Sequence, residues 1–207
     1  MPIIATPGGD ARVDVAAARK PRATLVLGHG AGGGIDAADL VALADALPAT
    51  GITVVRVEQP WRVAGRRVAT APATLDRAWI AVLAALALSG PVIVGGRSAG
   101  ARVAVRTALQ VGAIGAVALA FPLHPPGRPE RSRLSELEEC GVPTLVVQGE
   151  RDPFGGPDAF PRKRLRYDVR AVPGADHSFR VTRSYDRQAT LAVLTETVGV
   201  WVLGRLR

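Results

Sequence analysis

Val92-Ile93-Val94-Gly95-Gly96-Arg97-Ser98-Ala99-Gly100-Ala101-Arg102-Val103-Ala104-Val105 is the stretch that decides how this chain folds. Its first three residues are apolar and β-branched, as in a buried strand. A helix-forming run begins at Ala99. Between the two, Gly96-Arg97-Ser98-Ala99-Gly100 matches the pattern G-x-S-x-G, in which a serine occupies a tight strand-to-helix turn. The pattern has a steric origin. Side chains at the two glycine positions would strike the neighbouring strand and helix. The turn lifts the Ser98 hydroxyl to a helix N-terminus, where unpaired amides and the helix dipole favour negative charge.

Outward from this unit, short apolar runs alternate with helical ones. The expected strands are Arg12–Val15, Thr24–Leu27, Ile52–Val57, Val92–Val94, Ala116–Ala120, Thr144–Gln148 and Tyr167–Val172. The expected helices are Ala37–Leu47, capped by Asp36, then Thr74–Leu88, Ala99–Val111, Ser132–Cys140 and Asp186–Leu203. This alternation predicts a single α/β domain over residues 1–207, with a mostly parallel sheet and helices on both faces. Ligands of such sheets bind beyond the carboxyl ends of the strands, so the loops after the strands are where chemistry belongs.

A serine hydroxyl needs a base to become a nucleophile, and the base needs an orienting acid. Gly149-Glu150-Arg151-Asp152-Pro153-Phe154 follows one expected strand, and Pro173-Gly174-Ala175-Asp176-His177-Ser178-Phe179 follows the next. The catalytic candidates are therefore Ser98, Asp152 and His177, in the chain order serine, acid, histidine. Asp152 before Pro153 also reads as a turn former, as does Asp158. Asp176, adjacent to His177, would have to fold back to reach its ring.

Gly28-His29-Gly30-Ala31-Gly32-Gly33-Gly34 directly follows the strand Thr24–Leu27. Small residues there let backbone amides approach a developing negative oxygen. The candidate oxyanion donors are the amides of Ala31 and Ala99. His29, Gly32, Arg97 and His124 are the candidate substrate contacts, with His29 also expected to position the loop. Gly28, Gly30 and Gly33 fit the dinucleotide pattern G-x-G-x-x-G as well, with Glu58 closing the next strand. Against that alternative, the helix starts only after Gly34-Ile35, where Asp36 and Asp39 would oppose a pyrophosphate.

The 207 residues are 48 % hydrophobic and 21 % charged, which excludes a disordered or fibrous chain. The longest strongly apolar run, Trp79–Leu88, is half of the ~20 residues a membrane helix needs. Met1–Asp10 has no basic start followed by an apolar core, so no secretory signal is read. Cys140 is the one cysteine, which leaves no internal disulfide; a cytoplasmic location without membrane contact is expected. The net charge of +8 comes from 26 basic and 18 acidic residues, nearly all of the base being arginine. These charges are scattered and aromatics make up only 4 %, so no specific nucleic-acid partner is expected. Arg62, Arg66 and Arg67 follow a strand on the catalytic edge and read first as solvated residues, second as an attraction for acidic substrates. No H-E-x-x-H, cysteine pair or histidine cluster points to a metal, and the chemistry needs no cofactor.

These residues resemble the α/β-hydrolase superfamily. More narrowly, they resemble a small dienelactone-hydrolase-like group of predicted serine hydrolases, whose eukaryotic relatives include a testis-expressed protein and a subunit of a histone-acetyltransferase complex. The resemblance runs from about Thr24 to the C-terminus. It rests on Gly28–Gly32, Gly95–Gly100, Phe121–Gly127, Gly149–Gly155 and Ala175–Phe179. It implies Ser98 as nucleophile, Asp152 as acid and His177 as base, acting on a small-molecule acyl ester. Dienelactone hydrolases proper carry a cysteine where this chain has Ser98. Phe121–Glu130 leaves no room for a lid domain, so an open cleft is expected. The relatives in chromatin complexes imply the alternative of a non-catalytic interaction module on the same fold.

Overall fold

The structure is a computed structural model that describes residues 1–161 and 166–206. Its strands are β1 (Ile3–Thr6), β2 (Gly9–Ala16), β3 (Ala23–Gly28), β4 (Ile52–Glu58), β5 (Val92–Arg97), β6 (Gly115–Leu119), β7 (Thr144–Gly149) and β8 (Tyr167–Val172). They form one sheet in the order β1-β2-β4-β3-β5-β6-β7-β8. From β4 to β8 every pairing is parallel, while β2 runs antiparallel to both of its neighbours. The inner strands β3, β6 and β7 are buried along their whole length, matching sequences that are apolar or small apart from Thr24, Thr144 and Gln148.

The helices are α1 (Ala38–Ala46), α2 (Pro60–Val63), α3 (Pro72–Leu86), α4 (Ala99–Thr107), α5 (Leu134–Glu138) and α6 (Arg187–Gly204). They split the core into two layers. On one face Trp61, Trp79, Val103 and Leu137 pack with Val26, Val94 and Val146 of the sheet. On the other, Leu40, Leu43, Leu194 and Val198 pack with Leu25, Ile93 and Leu145. These side chains come from α2 to α5 on the first face and from α1 and α6 on the second. The chain is thus an α/β-hydrolase fold, with helices on both faces of a mostly parallel sheet. No further domain interrupts the segment between β6 and α5.

Several boundaries differ from expectation for local reasons. The strand β1 was not expected. It is a four-residue edge strand closed onto β2 by a tight turn, in which Thr6 Oγ1 donates to the Gly9 carbonyl at 2.6 Å and accepts from Gly8 N–H at 3.1 Å. The strand β6 stops at Leu119 because Ala120 takes φ 45°. Asp36 does not cap α1: Ala37 holds the cap position and no side chain bonds to the helix start. Beyond Ala46 the chain tightens into a 3-10 turn, Leu47–Thr50, with Pro48 in it.

The order of the sheet fixes where a ligand can sit. The chain steps from β3 outward to β4 and then returns across β3 to β5 on its other side. The crevice above the carboxyl ends of β3 and β5 is therefore the topological switch point of the sheet. Gly28–Gly34 and the turn at Ser98 open directly into it.

Candidate active site

Ser98 sits between β5 and α4 at φ 52°, ψ −111°, a conformation a non-glycine residue holds only when its surroundings impose it. Here they are close backbones. A Cβ on Gly96 would lie 2.5 Å from the Gly28 carbonyl oxygen and 2.7 Å from the Gly100 carbonyl carbon. A Cβ on Gly100 would lie 2.5 Å from the Gly28 carbonyl carbon. The Ser98 N–H donates to the Leu119 carbonyl at 2.9 Å, tying the turn to β6.

The turn presents the Ser98 hydroxyl to His177. Ser98 Oγ and His177 Nε2 are 2.9 Å apart, and His177 Nδ1 and Asp152 Oδ2 are 2.8 Å apart. Asp152 is buried at the end of β7, where only donors face it. Its Oδ2 also accepts from Gln148 Nε2–H at 2.9 Å, and its Oδ1 from the Phe154 N–H at 2.8 Å. With only donors on the carboxylate, the His177 proton belongs on Nδ1. That leaves Nε2 free to accept from the serine. The Phe154 ring lies against the imidazole, centroids 4.2 Å apart, and restricts its tilt.

The competing carboxylates do other work. Asp176 Oδ1 accepts from the Ser178 and Arg180 N–H groups and closes the turn that carries His177. Asp158 lies on a short 3-10 turn, Pro157–Ala159. Gln148 was not singled out from the sequence. Its amide nitrogen also reaches the carbonyls of Phe121 (3.2 Å) and Gly155 (2.7 Å), so it orients Asp152 and anchors two loops. The signal was there to be used: a lone glutamine ends an otherwise apolar run, Leu145-Val146-Val147.

The glycine loop after β3 borders the same cleft. Ala31 and Gly32 are exposed in it and Ala99 is half-buried. Among the described residues no backbone carbonyl accepts from the amide of Ala31 or Ala99, so both remain open to a ligand. A Cβ on Gly30 would lie 3.3 Å from the Ser98 Cβ, which measures how closely the loop passes the serine. The dinucleotide alternative finds no support in this packing. Gly28 and Gly30 face the serine turn, and α1 starts only at Ala38.

Two expected substrate contacts lie elsewhere. His29 is buried behind the loop, not in the cleft. Its Nε2 accepts from the Gln59 N–H at 3.0 Å and its Nδ1 donates to the Gly30 carbonyl at 2.9 Å, so both nitrogens are occupied and the ring fixes the loop. Burial pushes its pKa below the usual 6.5. His124 also stands outside the cleft, behind the Phe154 turn. Its N–H donates to the Phe154 carbonyl at 3.1 Å and its Nδ1 lies 2.9 Å from the Pro125 carbonyl.

Arg97 and Gly32 do line the cleft. Arg97 Nη2 donates to the His177 carbonyl at 3.3 Å, and its Nε stands 3.7 Å from Asp39 Oδ2. Asp39 is 1 % exposed; burial raises its pKa, and the Arg97 charge opposes the rise. This ion pair, tying the residue before Ser98 to α1, was not visible in the sequence. The cleft measures about 710 Å³. Among the described residues no cluster of three or more histidine, cysteine or acidic side chains could hold a metal ion, and no helix is long and apolar enough to cross a membrane.

A family model described as an alpha/beta hydrolase domain matches residues 21–200. No curated protein sequence matches the chain. Among solved structures it is similar to an α/β serine hydrolase without a lid from Xanthomonas campestris, at 22 % identity over 97 % of this chain and 93 % of that one, TM-score 0.73. It is also similar to dienelactone hydrolase from Anabaena variabilis, at 15 % identity over 100 % and 97 %, TM-score 0.74. A third similarity is to Est1E from Butyrivibrio proteoclasticus with ferulic acid bound, at 14 % identity over 100 % and 99 %, TM-score 0.77.

Proposed function

The chain belongs to the alpha/beta hydrolase domain family, and from that premise we propose that it is a serine hydrolase of carboxylic esters working through Ser98, His177 and Asp152. The observation that carries this reading is the continuous hydrogen-bonded chain Ser98 Oγ–His177 Nε2 (2.9 Å) and His177 Nδ1–Asp152 Oδ2 (2.8 Å), held at the switch point of the sheet. As Ser98 Oγ attacks the ester carbonyl, His177 Nε2 takes its proton. Asp152 stabilises the imidazolium and keeps its tautomer. The carbonyl oxygen becomes an oxyanion, and the amides of Ala31 and Ala99 donate to it. Collapse breaks the ester C–O bond, and the alcohol leaves with the proton from His177. Water then attacks the acyl-enzyme with His177 again as base, releasing the acid and restoring Ser98.

The test is labelling by a fluorophosphonate probe, which reacts with an activated serine. The natural protein is expected to label, and Ser98→Ala and His177→Ala not to. Ester turnover should fall by roughly 10⁴-fold or more in either variant, with the circular dichroism spectrum unchanged. Turnover at the natural rate in Ser98→Ala would remove the mechanism. A folded natural protein that neither labels nor cleaves esters would leave the fold as an interaction module.

A further inference from the structure

The wall of the cleft is more basic than the rest of the molecule. Across the chain, basic residues outnumber acidic ones 26 to 18. On the cleft wall Arg97, Arg102, Arg133, Arg180 and Arg187 face a single carboxylate, the exposed Asp36. Two of the five are accounted for inside the protein. Arg97 stands against Asp39 and the His177 carbonyl, and Arg102 is gripped by both oxygens of Glu136.

Among the described residues the other three form no ion pair with a carboxylate. Arg133 Nη1 donates to the Pro122 carbonyl at 2.8 Å, a neutral partner. Burial, together with the neighbouring Arg102 charge, holds its pKa below the ordinary arginine value, while the Glu136 carboxylate opposes the shift. Arg180 and Arg187 are exposed, and among the described residues neither guanidinium has a hydrogen-bond or ion-pair partner. They stand on the loop after His177 and at the start of α6, lining the same cleft as Ser98. Arg62, Arg66 and Arg67, which the sequence brought forward, do not line it.

Ester cleavage at Ser98 uses none of these three cations, since oxyanion stabilisation falls to backbone amides. A guanidinium fork is built to grip a carboxylate or phosphate through two parallel hydrogen bonds. We propose that the cleft selects an ester whose acyl or alcohol half carries a second, non-reacting anionic group, recognised by Arg133, Arg180 and Arg187. This rests on the serine-hydrolase reading. The anionic group binds and orients while Ser98 attacks the ester carbonyl, and it is neither formed nor consumed.

The experiment compares matched esters at low ionic strength. One pair is mono-4-nitrophenyl adipate with 4-nitrophenyl hexanoate; the other is 3-carboxyphenyl butyrate with phenyl butyrate. In at least one pair the charged member is expected to have about tenfold higher kcat/KM, with the preference shrinking as salt rises. In the double variant Arg180→Gln, Arg187→Gln the ratio of charged to neutral turnover should fall about tenfold, carried by KM. Both side chains are exposed and unpartnered, so this variant keeps the fold. Arg77→Gln, on the outer surface of α3, removes the same kind of charge and should leave the ratio where it was. Equal or better turnover of the neutral ester in both pairs overturns the proposal, as does a ratio the double variant does not change. If fluorophosphonate still labels Ser98 in those cases, the hydrolase reading survives. If neither labelling nor cleavage of any ester occurs, both fall together.

Discussion

Two glycine-rich stretches meet above the sheet, and they use glycine for opposite reasons. In Gly95–Gly100 every glycine is pressed against a neighbour. A Cβ on Gly95 would lie 2.6 Å from the Val117 carbonyl, and Gly96 and Gly100 face Gly28 as closely. In Gly28–Gly34 the crowding is uneven, and the closest contact a Cβ would make, on Gly34, is with Asp36 Oδ1 at 2.8 Å, the end of a side chain and not backbone. Gly28 packs on Gly100 and Trp79, Gly30 borders Ser98, and a Cβ on Gly32 would meet nothing within 4 Å. The first stretch needs glycine because backbones must touch to force Ser98 into its strained turn. In the second, small residues leave amides uncovered beside the nucleophile. The same composition therefore carries a folding requirement in one place and a chemical one in the other.

Gly100→Ala should give the largest effect. Its Cβ would press on backbone atoms of Gly28 and His29, which cannot swing aside as a side chain could. Overpacking of this kind costs about 3 kcal/mol, more than the roughly 1 kcal/mol that alanine gains over glycine within a helix. At about 3 °C per kcal/mol for a chain of this size, calorimetry should show Tm lower by several degrees, with fluorophosphonate labelling lost. A Tm within 2 °C of the natural protein would mean that the two backbones part easily, and the contrast between the stretches would dissolve.

Gly30→Ala and Gly32→Ala separate the two roles inside the second loop. Neither position has a positive φ, so neither change strains the backbone. On Gly30 the new methyl would crowd the Ser98 Cβ (3.3 Å) and reach within 4.0 Å of its Oγ. We expect kcat/KM to fall about tenfold while Tm moves by only about 2 °C, the equivalent of under 1 kcal/mol. On Gly32 the methyl points into open space, and Tm should stay within about 1 °C. Equal losses of kcat/KM at both positions would show that the whole loop moves, and that approach distance to Ser98 does not decide the outcome.

The order of elements, the serine turn and the spacing of Asp152 and His177 were all legible, because each has a local signature. An apolar run, a glycine pair or a polar residue just past a strand can be read without knowing what lies across the sheet. What could not be read depends on contacts between distant segments. Arg97 and Asp39 are 58 positions apart in sequence, and only the fold shows that they meet beneath the histidine loop. The three cleft arginines that form no ion pair among the described residues come from the loop after β6, the turn after His177 and the start of α6. In a chain so rich in arginine, nothing local distinguishes them from Arg62, Arg66 or Arg67. The directions of the His29 and His124 rings were illegible for a shared reason. A histidine in a loop beside a catalytic strand looks alike whether its ring faces the cleft or the backbone behind it. The strand Ile3–Thr6 was missed because four residues at a sheet edge carry too little pattern.

His29 lies between Gly28 and Gly30 in the second loop, and its effect should be the smallest and confined to acid. The Gln59 N–H can only donate, so His29 Nε2 must accept and the single ring proton sits on Nδ1, bonded to the Gly30 carbonyl. A second proton on Nε2 would face the Gln59 N–H and break that contact. Burial lowers the pKa of His29 in the folded protein below 6.5, its value in the unfolded chain, so the unfolded state binds more protons once the pH drops under 6.5. The stability His29 contributes is thus fully present above about pH 6.5 and is lost as pH falls through the folded-state pKa. Other groups titrate in the same window, so the measurement is a difference. Tm at pH 7 and pH 5 is compared between the natural protein and His29→Gln, which lacks the titrating ring. The natural protein should lose more Tm over that interval than the variant. Equal losses would mean that His29 does not hold the loop through a neutral ring, and the position of the loop would have to be set by glycine packing alone.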